Sequence, residues 1–245
     1  MNLSSRYGIS RSYLMYYGIP GRRHKMRQFY GQFIGKGDLC FDIGSHLGNR
    51  IRAFNDLSAK TIAVEPQPLF YRYIHRRFSN DNCTILNCAV SSKSGRTELH
   101  ISEMTPTVST ISSEWIDDMK KNSLFRGIHW NRQIPINTTT LDALISRFGL
   151  PKFCKIDVEG MESEVLAGLT AKIPYISFEY LPANKKSIDR CIDNLSQIGH
   201  YRYNWSRIET MTLVSKSWLT GAEMASIIKA MPDTGRSGDI YAALS

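Results

Sequence analysis

The sequence predicts an α/β fold in which short buried strands alternate with amphipathic helices around a mostly parallel sheet. Three stretches carry that reading. Phe41-Asp42-Ile43-Gly44-Ser45-His46-Leu47-Gly48-Asn49 reads as a strand end, a glycine turn and the start of a helix on Ile51, Phe54 and Leu57. Thr61-Ile62-Ala63-Val64 is a second buried strand, ending in Glu65, twenty-one residues past Gly44. Lys155-Ile156-Asp157-Val158-Glu159-Gly160 repeats the pattern of strand, acid, glycine and helix.

At 245 residues the chain suits one α/β domain with a substantial core and is short for two. Its 31 Lys and Arg against 22 Asp and Glu give a formal charge of +9, which admits nucleic acid, a membrane surface or an anionic substrate as partner. Basic residues cluster at Arg22-Arg23-His24-Lys25-Arg27, Arg72-Arg76-Arg77 and Lys185-Lys186, as solvated helix faces do. No aromatic–glycine RNA signature accompanies them, so nucleic acid is not the expected partner. The five cysteines, Cys40, Cys83, Cys88, Cys154 and Cys191, form no C-x-x-C pair and read as reduced core thiols. No stretch has the apolar length of a membrane span and no apolar leader core is seen, so a cytoplasmic location is expected.

Taken in order, residues 1–20 are rich in Tyr, Ser and Gly and read as a partly ordered extension. Met26, Phe29, Phe33 and Ile34 mark an amphipathic helix with the basic cluster outside, stopped by Gly35 and Gly37. Residues 1–37 are thus expected as an N-terminal extension with its helix, and 38–245 as the main domain. After the 61–65 strand, Pro68 opens a helix on Leu69, Tyr73, Ile74 and Phe78, and a strand over 84–90 follows. Thr97, Leu99 and Ile101 alternate with polar residues, as a half-exposed antiparallel strand would. Residues 103–136 read as irregular, and a segment that long between core elements is expected to be a substrate-side insertion. Alternation resumes with a helix on Leu141, Leu144, Ile145 and Phe148, the 153–157 strand, a helix on Met161, Val165 and Leu169, and the strand 175–179. A helix on Ile188, Ile192 and Leu195 ends at Gly199, and Thr220 with Glu223 forms a capping box for a last helix.

The chemistry follows from strand ends. A glycine turn lets backbone approach a ligand, and the helix after it presents free N–H groups to an anion. Glu65 is placed to accept hydrogen bonds from ribose hydroxyls. The turn is not a dinucleotide fingerprint, because His46 stands where its second glycine would be. Asp42, two residues before Gly44, suits an ammonium, and the helix N-terminus suits a carboxylate. Those are the two ends of the methionyl part of S-adenosylmethionine. Asp157 and Glu159 lie at the carboxyl edge of a strand expected beside the first, facing the same ligand. Glu162 and Glu164, in a helix's first turn, need no function beyond complementing its dipole.

With these residues in hand the chain resembles the FkbM family of S-adenosylmethionine-dependent methyltransferases. The resemblance rests on the stretch from Phe41 to Asn49, on Val64-Glu65-Pro66, on Asn87-Cys88-Ala89-Val90-Ser91 with Gly95, on Thr140-Leu141-Asp142 and on Lys155 to Gly160, and covers roughly residues 38–180. It implies a Rossmann-like class I methyltransferase fold: a mostly parallel seven-stranded sheet with helices on both faces. It also implies O-methylation of a sugar, glycan or secondary metabolite. Asp42 and Gly44, with Ser45, Gly48 and Asn49 of the turn, would hold the methionyl part. Glu65 and Pro66 would meet the ribose, and Asn87, Cys88 and Ala89 the adenine. Methyl transfer to a hydroxyl needs alignment and a base; Asp157 or Glu159 is the expected base, with His46 and His129 behind them. Asp157 with Glu159 or Glu179 would suit Mg²⁺, though no metal is predicted. An RNA-directed methyltransferase using the basic surface and a non-catalytic nucleoside-binding protein are the alternative classes.

Overall fold

The computed structural model describes residue 13, residues 18–208 and residues 210–245, so most of the expected N-terminal extension lies outside the described residues. In chain order the described elements are α1 (Arg22–Tyr30), β1 (Leu39–Ile43), α2 (Asn49–Asp56), β2 (Lys60–Val64), α3 (Pro68–Phe78), β3 (Cys83–Leu86), β4 (Ala89–Val90) and β5 (Gly95–Ile101). There follow α4 (Ser113–Met119), β6 (Arg132–Thr139), α5 (Leu141–Phe148), β7 (Phe153–Ile156), α6 (Glu162–Ala167), β8 (Tyr175–Tyr180), α7 (Lys185–Ile198), β9 (Tyr201–Arg207), α8 (Gly221–Ala230) and β10 (Gly238–Leu244).

Among the described residues, seven strands form one sheet in the order β3-β2-β1-β7-β8-β10-β9. All its pairings are parallel except those of β10, which runs against both β8 and β9. The order turns back between β1 and β7, the place where an open α/β sheet binds ligands beyond its strand ends.

Strand residues alternate between two layers. Phe41, Ile43, Ile62, Val64, Cys154, Ile156, Ile176 and Phe178 point into the core under α5, α6, α7 and α8. The alternate residues Cys40, Ala63, Cys83, Ile85 and Phe153 pack under α1, α2 and α3. On that second face the sheet turns polar toward the carboxyl ends: Asp42, Lys155 and Asp239 are each almost fully buried there. Sequence period therefore sets which face is apolar, and strand position sets where charge enters it.

Most expected elements are in place, including the capping box of Thr220 and Glu223 on α8, and Thr140 caps α5. Helix α1 ends sooner than expected, at Gly31, with Phe33 and Ile34 still packed in the core. The expected strand over 84–90 is two strands in different sheets, β3 and β4, broken at Asn87 and Cys88. Asn87 Nδ2 turns back to donate to the carbonyls of Glu65 and Pro66, at 2.8 and 3.0 Å, which takes the residue out of the ladder.

The 103–136 segment is more regular than its sequence suggests. It holds α4 and the first half of β6, which pairs antiparallel with β5 and parallel with β4 in a three-stranded sheet. Pro135 is accommodated within β6, opposite Glu98 of β5. The antiparallel behaviour expected of Thr97, Leu99 and Ile101 is observed. All five cysteines are free thiols, four of them buried.

Candidate active site

The β1–α2 turn and the β7–α6 loop touch at the switch point. Asp157 donates its N–H to the Ile43 carbonyl at 2.9 Å, and Gly44 and Ser45 both donate to the Val64 carbonyl. A side chain at Gly44 would put its Cβ 1.8 Å from the Asp157 carbonyl oxygen, and the residue has φ 84°. The neighbouring loop by itself therefore requires glycine there. Gly48, φ 76°, is closed off in the same way by the Phe78 ring.

A cavity open to solvent lies over these loops. One wall is the glycine turn with Glu65 and Pro66, another is Cys88, Ala89 and Val90, and a third is Asp157 to Glu159. Phe70 and Leu99 add apolar surface, and the strap from Pro106 to Ile111 adds a further wall. The strap is pinned on both sides. Gln67 Nε2 donates to Ser109 Oγ at 3.0 Å, and Thr110 Oγ1 donates to the Glu159 carbonyl at 2.8 Å. Farther along, the Trp115 ring covers Gly160 so closely that a Cβ there would lie 2.1 Å from it.

Of the ten residues expected around a cofactor, Gly44, Glu65, Pro66, Cys88 and Ala89 line this cavity. Asp42, Ser45, Gly48, Asn49 and Asn87 do not. Asp42 is fully buried, one residue short of the strand end, and faces the α1–α2 layer; neither carboxylate oxygen accepts a hydrogen bond. Burial pushes its pKa up to about 6, with Arg50 opposing. Ser45 Oγ donates to the Asp42 carbonyl, and Asn49 Oδ1 accepts from the Arg50 N–H, so both shape the turn. Glu65 is also a brace: one oxygen accepts the His46 N–H at 2.7 Å and the other the Gln67 N–H at 2.8 Å. Burial raises its pKa to about 7 even so.

The expected bases separate. Asp157 lies between two cations, 3.1 Å from Arg50 and 3.5 Å from Lys155. Lys155 is fully buried and also bonds Asp239. Burial opposes the charge on Asp157, but Lys155 and Arg50 outweigh it and hold the carboxyl below its ordinary pKa. Glu159 goes the other way: burial, then Glu179 and Asp157, push it well above the carboxylate range. Glu159 also has φ 52°, an uncommon backbone for a side-chain-bearing residue. Carboxylate oxygens of Asp157, Glu159 and Glu179 lie within 4.8 Å of one another, a spacing at which acids share a proton or hold a divalent cation.

The remaining candidates have other roles. Glu162 is buried and accepts the Val158 N–H at 3.1 Å, and exposed Glu164 accepts from Ser92, as structural acids would. Burial drops His46 to about 3, so its imidazole stays neutral and is a poor proton acceptor at neutral pH. His129 is exposed, in a groove with Lys120 and Lys121 away from Asp157. Sequence reasoning missed Arg50, Phe70 and the role of Lys155. A lysine inside an otherwise apolar strand, two residues before an acid, was the available signal.

The sheet order, the lone antiparallel β10 and a ligand cavity at the switch point define a Rossmann-like class I methyltransferase fold. Residues 42–203 match the methyltransferase FkbM domain, and the chain belongs to that family. Its methyl donor is accordingly S-adenosylmethionine. No curated protein matches the chain. Among solved structures it is similar to a precorrin-6y C5,15-methyltransferase from Geobacter metallireducens, with 13% identity, TM-score 0.44 and coverage of 91% of this chain and 87% of the other. A TehB-like SAM-dependent methyltransferase from Corynebacterium glutamicum shows 9% identity, TM-score 0.46 and coverage of 99% and 98%. An rRNA methylase from Streptococcus thermophilus shows 9% identity, TM-score 0.45 and coverage of 90% and 95%. No helix among the described residues is long and apolar enough to cross a membrane.

The cavity suits the donor. It joins a mostly apolar slot between Phe70, Pro66 and the 88–90 strand to a buried acid, Glu65, whose oxygens retain lone pairs beyond the two N–H bonds they accept.

Proposed function

We propose that the chain is an O-methyltransferase acting on a hydroxyl of a sugar, glycan or other hydroxylated metabolite, with Glu159 as the base. Gly44, Glu65, Pro66, Cys88 and Ala89 hold the nucleoside in this reading, while Asp42, Ser45, Gly48, Asn49 and Asn87 shape the turns that carry them. When bound, S-adenosylmethionine supplies an electrophilic methyl group on a sulfonium, so the protein must align an acceptor oxygen and remove its proton.

The observation that carries the proposal is the junction of two cavities at Glu159. It lines the cofactor-side cavity and also a second one lined by Trp115, Phe125, Glu162 and Glu179. Carboxylates beside aromatic faces suit a ring that carries hydroxyl groups. Burial, with Glu179 crowding it, keeps the Glu159 pKa high, so its deprotonated form is a stronger base than an ordinary carboxylate. Asp157, neutralised by Arg50 and Lys155, is held charged and fixes the loop rather than taking the proton.

The test is a two-stage assay on the purified chain: calorimetric titration with S-adenosylhomocysteine, then mass analysis of hydroxylated sugars incubated with the donor. One added methyl on a sugar oxygen is the expected result. Protein that binds the cofactor product yet methylates only amines, carbon acids or RNA would overturn the O-methyl reading.

A further inference from the structure

We infer that the outer face of α1, α2 and α3 docks the protein onto a membrane leaflet rich in acidic phospholipids. Nearly all of the chain's excess charge is local to one end. Residues 1–37 hold seven Lys and Arg and no Asp or Glu, against a formal +9 for the whole chain. The structure extends that excess across a surface. α1, α2 and α3 cover one face of the sheet, with Arg23, Lys25 and Arg27 exposed on α1 and Arg72, Arg76 and Arg77 exposed on α3.

Arg52 of α2 joins the two groups. Asp56, the one acid on these three helices, is hydrogen-bonded by Arg23, and Arg52 and Arg27 add to the pull that lowers its pKa. On the other side, burial raises the Tyr73 hydroxyl on α3 while Arg77 and Arg52 oppose it. The cations thus form a continuous band. The helices on the opposite face, α5 to α8, carry acids and bases in near balance.

The occupant is chosen by what lies beside the band. Tyr13 and Ile19 are 47% and 55% exposed, and Tyr13 lies close enough to Tyr73 to act on its hydroxyl. Aliphatic side chains gain free energy by entering the acyl boundary and nothing by stacking on bases, whereas tyrosine suits the headgroup level. Cations next to such residues supply the second signal that interfacial binding needs.

The experiment is co-sedimentation of the full chain with phosphatidylcholine vesicles made with and without phosphatidylglycerol. Binding is expected only with phosphatidylglycerol and should weaken as salt rises. Two variants, Arg72→Glu/Arg76→Glu/Arg77→Glu and Lys25→Glu/Arg27→Glu, should each cut it at least about tenfold, with melting temperature and S-adenosylhomocysteine affinity unchanged. Equal binding to both vesicle types, or variants that fold and bind like the parent, would overturn the inference. So would salt-steep binding to single-stranded RNA by protein that ignores the vesicles.

Discussion

Asp157 and Glu159 are two residues apart on one loop, yet their surroundings give them opposite chemistry. Behind Asp157 stand a buried lysine from the end of β7 and an arginine from α2, and the acid is held ionised. Glu159 is buried, with Glu179 from β8, Asp157 itself and Glu162 from α6 around it, and the acid is pushed toward its protonated form. The difference comes from which elements flank the loop on each side. One side of the β7–α6 loop holds its acid charged and the other favours the protonated form, which is the division of labour the proposed mechanism uses.

The sharpest way to break this comparison is to neutralise each acid in turn. Glu159→Gln should lower turnover by about 10²–10⁴-fold with little change in cofactor affinity, because only proton removal is lost. Single-turnover rates in the folded variant measure this, and a rate within a few-fold of the parent would move the base elsewhere. In the parent, turnover should rise with pH through a pKa above the ordinary carboxylate range, since the base works deprotonated.

Next in size is Lys155→Met. Burial opposes the charge on Lys155, but Asp157 and Asp239 hold its pKa above the ordinary value, so it is charged in the native protein. Removing it leaves buried Asp239 without its cation and Asp157 with Arg50 alone, and a loss of about 3–5 kcal/mol of stability is expected from denaturant unfolding. A loss under about 1 kcal/mol would mean that Arg50 suffices to hold Asp157.

Glu65→Ala comes third, with about 1–3 kcal/mol of cofactor affinity lost as hydrogen bonds go unmade. Calorimetry measures it. Because Glu65 also ties down the His46 N–H, an intact affinity with a lower melting temperature would reassign it wholly to bracing the turn.

The smallest effect concerns Glu162, which belongs to the acid-crowded side. Its folded pKa of about 7 lies above the ordinary 4.5, so the native state binds the proton more tightly than the unfolded chain does. Its contribution to stability is therefore present below about 4.5 and is lost as pH rises to about 7. Glu162→Gln, which can still accept the Val158 N–H, should flatten the decline of melting temperature across that window.

Local signals were enough to place much of this molecule. The strand–glycine–helix pattern at 41–49 located β1 and α2, and Glu65, Asp157 and Glu159 were identified from their positions at strand ends. A period of two or of 3.6 residues can be read from side chains alone, and so can a capping box such as Thr220 with Glu223. Gly44 was legible as a turn glycine.

Its cause was not legible, because the Asp157 carbonyl that forbids a side chain there arrives from more than a hundred residues away. The same holds for Asp42, which a count along the strand sets beside the ligand but the pleat turns toward α1 and α2. Strand β6 was hidden for a related reason: only the partners β4 and β5 make its polar sequence a strand. Residue type, spacing and period thus fixed which groups reach the sheet's carboxyl edge. Only the tertiary structure decided which of them stay charged, because a carboxyl's pKa depends on the burial and the neighbouring charges that other elements bring to it.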